Sequence, residues 1–186
     1  MAEPAVHELV NSESDIEIIW RAFELRPEPV PTLPPDGEYL HRVWNSSVYP
    51  MAESLGVVMK LPPVQPRSRL AHEAAHWART MGKFEAMNAA IFRAFFERGE
   101  NIGEIDVLIS LASRLNLETD SLRRALESKE FEASVIAEEK EAEMVSLSGV
   151  PAFVANRKFA LSGVQPLENL KMLVERASVW QMNFRD

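Results

Sequence analysis

The chain has 186 residues, with 20 Lys+Arg against 28 Asp+Glu and a formal charge of −8. That length suits one domain or one domain with a sizeable insertion. So acidic a surface repels phosphate backbones and argues against nucleic acid as a partner. There is no cysteine, so these residues supply no disulfide, no thiolate nucleophile, no Cys-ligated zinc and no dithiol couple. Apolar runs are far shorter than the roughly 20 residues that cross a bilayer. The opening Met1-Ala2-Glu3-Pro4 has no basic n-region of a secretory signal. The expected location is the cytoplasm, with no membrane partner.

Residues 4–10 predict a short helix, with Pro4 in its first turn. Residues 16–25 alternate apolar and polar at Ile16, Ile18 and Trp20 and again at Arg21, Phe23 and Leu25. That pattern predicts a strand ending at Pro27. Pro27 to Pro35 form an extended linker closed by Asp36-Gly37. A helix follows over 38–48, interrupted at Pro50, with a further turn toward Gly56. After a second proline cluster (Pro62, Pro63, Pro66) no strand signal occurs between 68 and 147. Helices are expected from Ser68 to about Met81, along Phe84–Phe95 up to Gly99, along Ile105–Leu115, around Leu122–Leu126, and over 131–147. Ala152–Val154 and Lys158–Leu161 then predict a hairpin around Ala155-Asn156-Arg157, since Asn tolerates positive φ. Pro166 opens a last helix, and residues 178–186 show no clear type.

Strand, long helical block, hairpin, helix is an order, and it comes with words: Trp20-Arg21-Ala22-Phe23-Glu24-Leu25-Arg26-Pro27, Ser68 to Ala78 with Gly82-Lys83, Gly99 to Gly103, Gly149-Val150-Pro151-Ala152-Phe153-Val154, and Ser162-Gly163-Val164-Gln165-Pro166. Together these resemble the DsbA family of thioredoxin-like proteins, in its FrnE-like cytoplasmic branch. The resemblance implies an α/β thioredoxin-like fold, residues 1–60 and 148–186, carrying an inserted all-helical domain, residues 61–147. It implies a mostly helical chain and, for the family, thiol–disulfide exchange on extended peptide or thiol substrates. The family's first strand and its Cys-x-x-Cys motif have no counterpart here. They are expected either upstream in a longer reading frame, with Met1 internal, or to be missing in a short form. The place of that central strand is then to be filled in one of three ways: direct pairing of 16–25 with 152–154, a strand from the tail at Val179-Trp180-Gln181-Met182, or a second copy in a homodimer.

No catalytic residue is assigned, because the sulfur chemistry is missing. The substrate groove is expected at Val150 and Pro151, where the family carries a cis-proline whose preceding backbone pairs with a peptide or with glutathione. Ser162 and Gln165 lie where kappa-class glutathione transferases and 2-hydroxychromene-2-carboxylate isomerases contact glutathione, which makes both candidate ligand contacts. Three readings stand: a redox family member inactive as given, a non-catalytic peptide- or glutathione-binding module, and a glutathione-dependent isomerase or transferase. His72-Glu73-x-x-His76 has zincin spacing. Its histidines fall opposite the Leu70/Ala74/Trp77/Ala78/Met81 sector and beside Arg69, Arg79 and Lys83, which predicts a solvated cationic face and no metal. The acid run Glu138–Glu143 is expected to be exposed. The stripe Phe84, Phe92, Phe95, Phe96 is expected to be core.

Overall fold

Pro4 sits in the first turn of helix α1 (Glu3–Ser12), where its missing N–H has no helical partner to lose. Val6 and Leu9 turn inward on that helix, as their spacing of three requires. The computed structural model describes residues 1–183. They form two compact units, one of residues 1–21 with the chain from 142 onward, the other of residues 22–141.

The first unit holds α1, a hairpin of β1 (Ala152–Ala155) and β2 (Phe159–Ser162), and the long C-terminal helix over Leu167–Asn183. Val6, Leu9 and Leu170 form its buried centre, with Ile16, Trp20 and Phe153 packed around them. The strands are antiparallel, Ala152 facing Ser162 and Ala155 facing Phe159. Lys158 N–H donates to the Ala155 carbonyl at 3.1 Å, and Asn156 and Arg157 take φ of 51° and 55°. Two successive positive φ values are what a primed hairpin turn needs. The turn is Asn156–Lys158, one residue later than the pattern suggested.

Two expectations fail here. Residues 16–24 form no strand, and the sheet among the described residues is β1 and β2 alone. The tail supplies no strand either, because Val179 to Met182 continue the C-terminal helix. Its inward residues Leu170, Leu173 and Ala177 all precede Ser178, and the helix runs on to Asn183 with no further buried apolar position among the described side chains to mark it in the sequence.

In the second unit the proline linker leads to α2 (Glu38–Val43), a π-helical turn (Trp44–Val48) and α3 (Tyr49–Ser54). Pro50 does not interrupt this run as expected; it stands in the first turn of α3. Tyr49 N–H reaches back five residues to the Trp44 carbonyl, and this wider turn sits just where Pro50 has no N–H to offer. Helices α4 (Arg69–Arg79), α5 (Phe84–Phe96), α6 (Ile105–Arg114) and α7 (Thr119–Glu127) enclose the main core, built on Ala74, Trp77, Met87, Leu108 and Leu122. Gly99 closes α5 at φ 68°, and a Cβ there would lie 2.7 Å from Pro63 Cδ. Phe84 and Phe95 pack on the core, whereas Phe92 is partly exposed. Helix α8 (Glu132–Met144) follows, and the C-terminal helix is α9.

Candidate functional site

The Val150–Pro151 peptide bond at the entrance to β1 is cis. Gly163 N–H donates to the Pro151 carbonyl at 2.8 Å. With the register Phe153↔Leu161 and Ala155↔Phe159, that bond fixes which residues exchange hydrogen bonds across the hairpin, because bonded and non-bonded pairs alternate in an antiparallel ladder. The pairs 151/163, 153/161 and 155/159 bond inward. Ala152 and Val154 of β1, and Ala160 and Ser162 of β2, therefore turn their N–H and C=O groups outward. No other backbone group among the described residues bonds to Ala152 or Val154 on that side. Phe153 packs into the core, while Val150 and Val154 stay exposed.

The two strands end differently. Gln165 Nε2 donates to the Ser162 carbonyl at 2.6 Å, and Asn169 Nδ2 donates to Gln165 Oε1 at 2.8 Å. Val150, Pro151, Ser162 and Gln165 thus come together at one end of the hairpin, Ser162 directly across from Ala152. Asn169 was not singled out by the sequence. Its spacing of four from Gln165 at the start of a helix was the available signal.

A family profile described as the DSBA-like thioredoxin domain matches residues 1–175. The chain belongs to the DsbA family. It is 38% identical over 144 residues to the uncharacterized protein YwbO of Bacillus subtilis (strain 168), covering 75% of this chain and 72% of YwbO. Its fold is similar to that of the probable DsbA oxidoreductase SCO1869 from Streptomyces coelicolor, with a TM-score of 0.75 at 22% identity over 95% of this chain and 83% of the other. The thioredoxin-like α/β fold, mostly helical, is the family's. The DsbA relationship stands beside the absence of any cysteine in these 186 residues.

A second polar assembly lies within residues 22–141 and overturns two expectations. The face of α4 opposite its apolar stripe is not solvated; its side chains meet the extended segment Ala22–Glu24 and helix α8. Ala22 N–H donates to Glu138 Oε2 at 2.6 Å. The same carboxylate receives His76 Nε2 at 3.2 Å and, on its other oxygen, Arg79 Nη1 at 3.4 Å. Arg69 Nε pairs with Glu24 Oε1, and its Nη2 reaches Glu139 Oε2 at 3.3 Å. Lys140, Glu141 and Glu143 are exposed as expected of the run Glu138–Glu143, but Glu138, only 6% exposed, and Glu139 therefore leave that wet face. They were legible in one respect, since both follow the buried Val135 at helical spacing.

Burial pushes the His72 imidazole below its usual range, against the pull of Glu24 and a hydrogen bond with the Phe23 backbone. Burial and the nearby Glu132 push the Glu73 carboxyl up. Its Oε2 has no hydrogen-bond partner among the described residues, and the residue is 1% exposed. Glu139 is raised by burial as well, opposed by Arg69. Among the described residues no group of three or more His, Asp or Glu side chains is placed to hold a metal ion. Glu24, Glu138 and Glu139 take hydrogen bonds or ion pairs from α4 side chains, and Glu138 also from the Ala22 backbone.

Proposed function

We propose that the chain is a DsbA-family protein that performs no dithiol exchange with these residues and keeps the family's substrate edge, to which it binds an extended peptide. The cis bond between Val150 and Pro151, with the backbone of the exposed Val150 just before it, carries this reading. A strand edge with free backbone groups adds a peptide by main-chain hydrogen bonds, and neighbouring side chains set preference. Exposed Val150 and Val154 favour apolar residues in that peptide. We read the chain as a FrnE-like branch member acting in the cytoplasm, with the helices of residues 61–147 as the insertion in its thioredoxin-like domain.

The absence of cysteine supports the loss of redox chemistry, because the thiolate is the attacking group in every exchange step. Insulin reduction by this chain should stay at background. Titrating a fluorescein-labelled, amidated pentapeptide of alternating valine and threonine should give saturable anisotropy. Clear insulin reduction refutes the first half of the proposal, and a flat anisotropy trace refutes the second. Competition by glutathione with full displacement would move the ligand class from peptides to glutathione.

A further inference from the structure

Two carboxyls share the Arg69 guanidinium. Its Nε pairs with Glu24 Oε1, and its Nη2 reaches Glu139 Oε2 at 3.3 Å. Both acids are withdrawn from water, their side chains being 2% and 14% exposed. The Glu139 carboxyl also lies in hydrogen-bonding contact with the Glu24 side chain. Two ionised carboxylates are acceptors only and cannot make that bond. Glu139 Oε1, buried, then has no partner among the described residues. A proton on Glu139 supplies the missing donor. We propose that Glu139 is a neutral carboxylic acid in the folded chain, that its O–H donates to the Glu24 carboxylate, and that this proton latches α8 to the segment Ala22–Glu24.

The surroundings favour the neutral acid. Burial raises the Glu139 carboxyl, Arg69 opposes this, and the charge and side chain of Glu24 raise it further. Like charges in one dry site resist double ionisation. The other charged or titratable groups at this junction are His72, Glu73, His76 and Arg79 on α4, Glu132 and Glu138 on α8, and Lys129 just before α8. His76 and Arg79 bond to Glu138, while Lys129 faces Glu73 and Glu132. As pH rises the Glu139 proton passes to solvent. Two carboxylates then meet at Arg69 with no donor between them, and α8 loosens from the segment. Because the folded-state value lies above the free one, the latch is complete below about pH 4.5 and weakens as pH rises through the raised value. The latch lies within residues 22–141 and is independent of what the cis-proline turn binds.

Glu139→Gln separates the proton from the side chain. Its amide keeps a donor for Glu24 and an acceptor for Arg69, and it cannot ionise. The Ala22 amide bonds to the adjacent Glu138, so its hydrogen exchange reports the docking of α8. The ratio of Ala22 protection in the wild type to that in Glu139→Gln should fall about tenfold per pH unit from about pH 5 upward, until the proton is lost. A purely structural role for Glu139 would leave that ratio flat. In the wild type, the side-chain carboxyl carbon of Glu139, followed by NMR, should titrate above the ordinary glutamate range. In Glu24→Gln, which removes the neighbouring charge and frees Arg69 for Glu139, that titration should move down. A flat ratio overturns the proposal, as does a wild-type Glu139 that titrates near pH 4.5. A raised titration that Glu24→Gln leaves in place overturns the bond to Glu24. Should Glu139→Gln fail to fold, the wild-type titration decides by itself.

Discussion

Glu73 shows how a single buried group shapes stability. Its carboxyl is held above its usual range by burial and by Glu132. A folded-state value above the unfolded one means that its contribution is fully present below about pH 4.5 and is lost as pH rises through the raised value. At neutral pH the ionised form is therefore a cost. Glu73→Gln should raise stability at pH 7 by about 1 kcal/mol, read as a higher urea midpoint with an unchanged slope. His72 works in the opposite sense. Burial lowers its imidazole, so the neutral form is favoured in the fold, and stability falls as pH drops below about 6.5 toward the lowered value. His72→Gln should flatten the decline of the urea midpoint between pH 6.5 and 5. In the Glu73→Gln variant that decline should steepen, because the opposing carboxyl is gone.

Among elements, the segment Ala22–Glu24 is the instructive one. Its alternation reads as a strand with Arg21, Phe23 and Leu25 on one face, yet the structure buries Ala22 and Glu24 and leaves Arg21 and Leu25 exposed. The period was legible and the buried face was not. Nor was the partner, because Ala22 N–H donates to a carboxylate on a helix 116 residues away. Hydrophobic patterning is silent on what pairs the backbone. The same blindness misplaced α4. Its charged face looks solvated on a helical wheel, because Glu24, Glu138 and Glu139 lie far off in sequence. The hairpin needed no distant partner, and Asn156 and Gly163 marked its turn and end. Glu138→Ala removes the carboxylate that Ala22 N–H, His76 and Arg79 share. It should cost roughly 2–4 kcal/mol, measured by denaturant unfolding, with loss of exchange protection at the Ala22 amide as its local signature.

For the whole molecule, the fold and the chemistry part company. The helical core of residues 22–141 is ordinary close packing, and Met87→Ala should cost about 2–5 kcal/mol in a urea titration followed by circular dichroism. The ordered words of the sequence, from Trp20 to Pro166, were enough to place the chain in the DsbA family, since they follow the order of its elements. What they could not reveal was where the Gln165 amide points: it donates to the Ser162 carbonyl and takes a bond from Asn169. What the backbone of these residues provides is a cis-proline turn at the entrance to β1. The direct measurement is amide hydrogen exchange of the wild-type chain with and without the valine–threonine pentapeptide. Binding at the cis-proline turn predicts slower exchange at Val150, with Ala160 and the helical amides of α4 to α7 unaffected. Binding that leaves Val150 as fast as in the free chain contradicts the account.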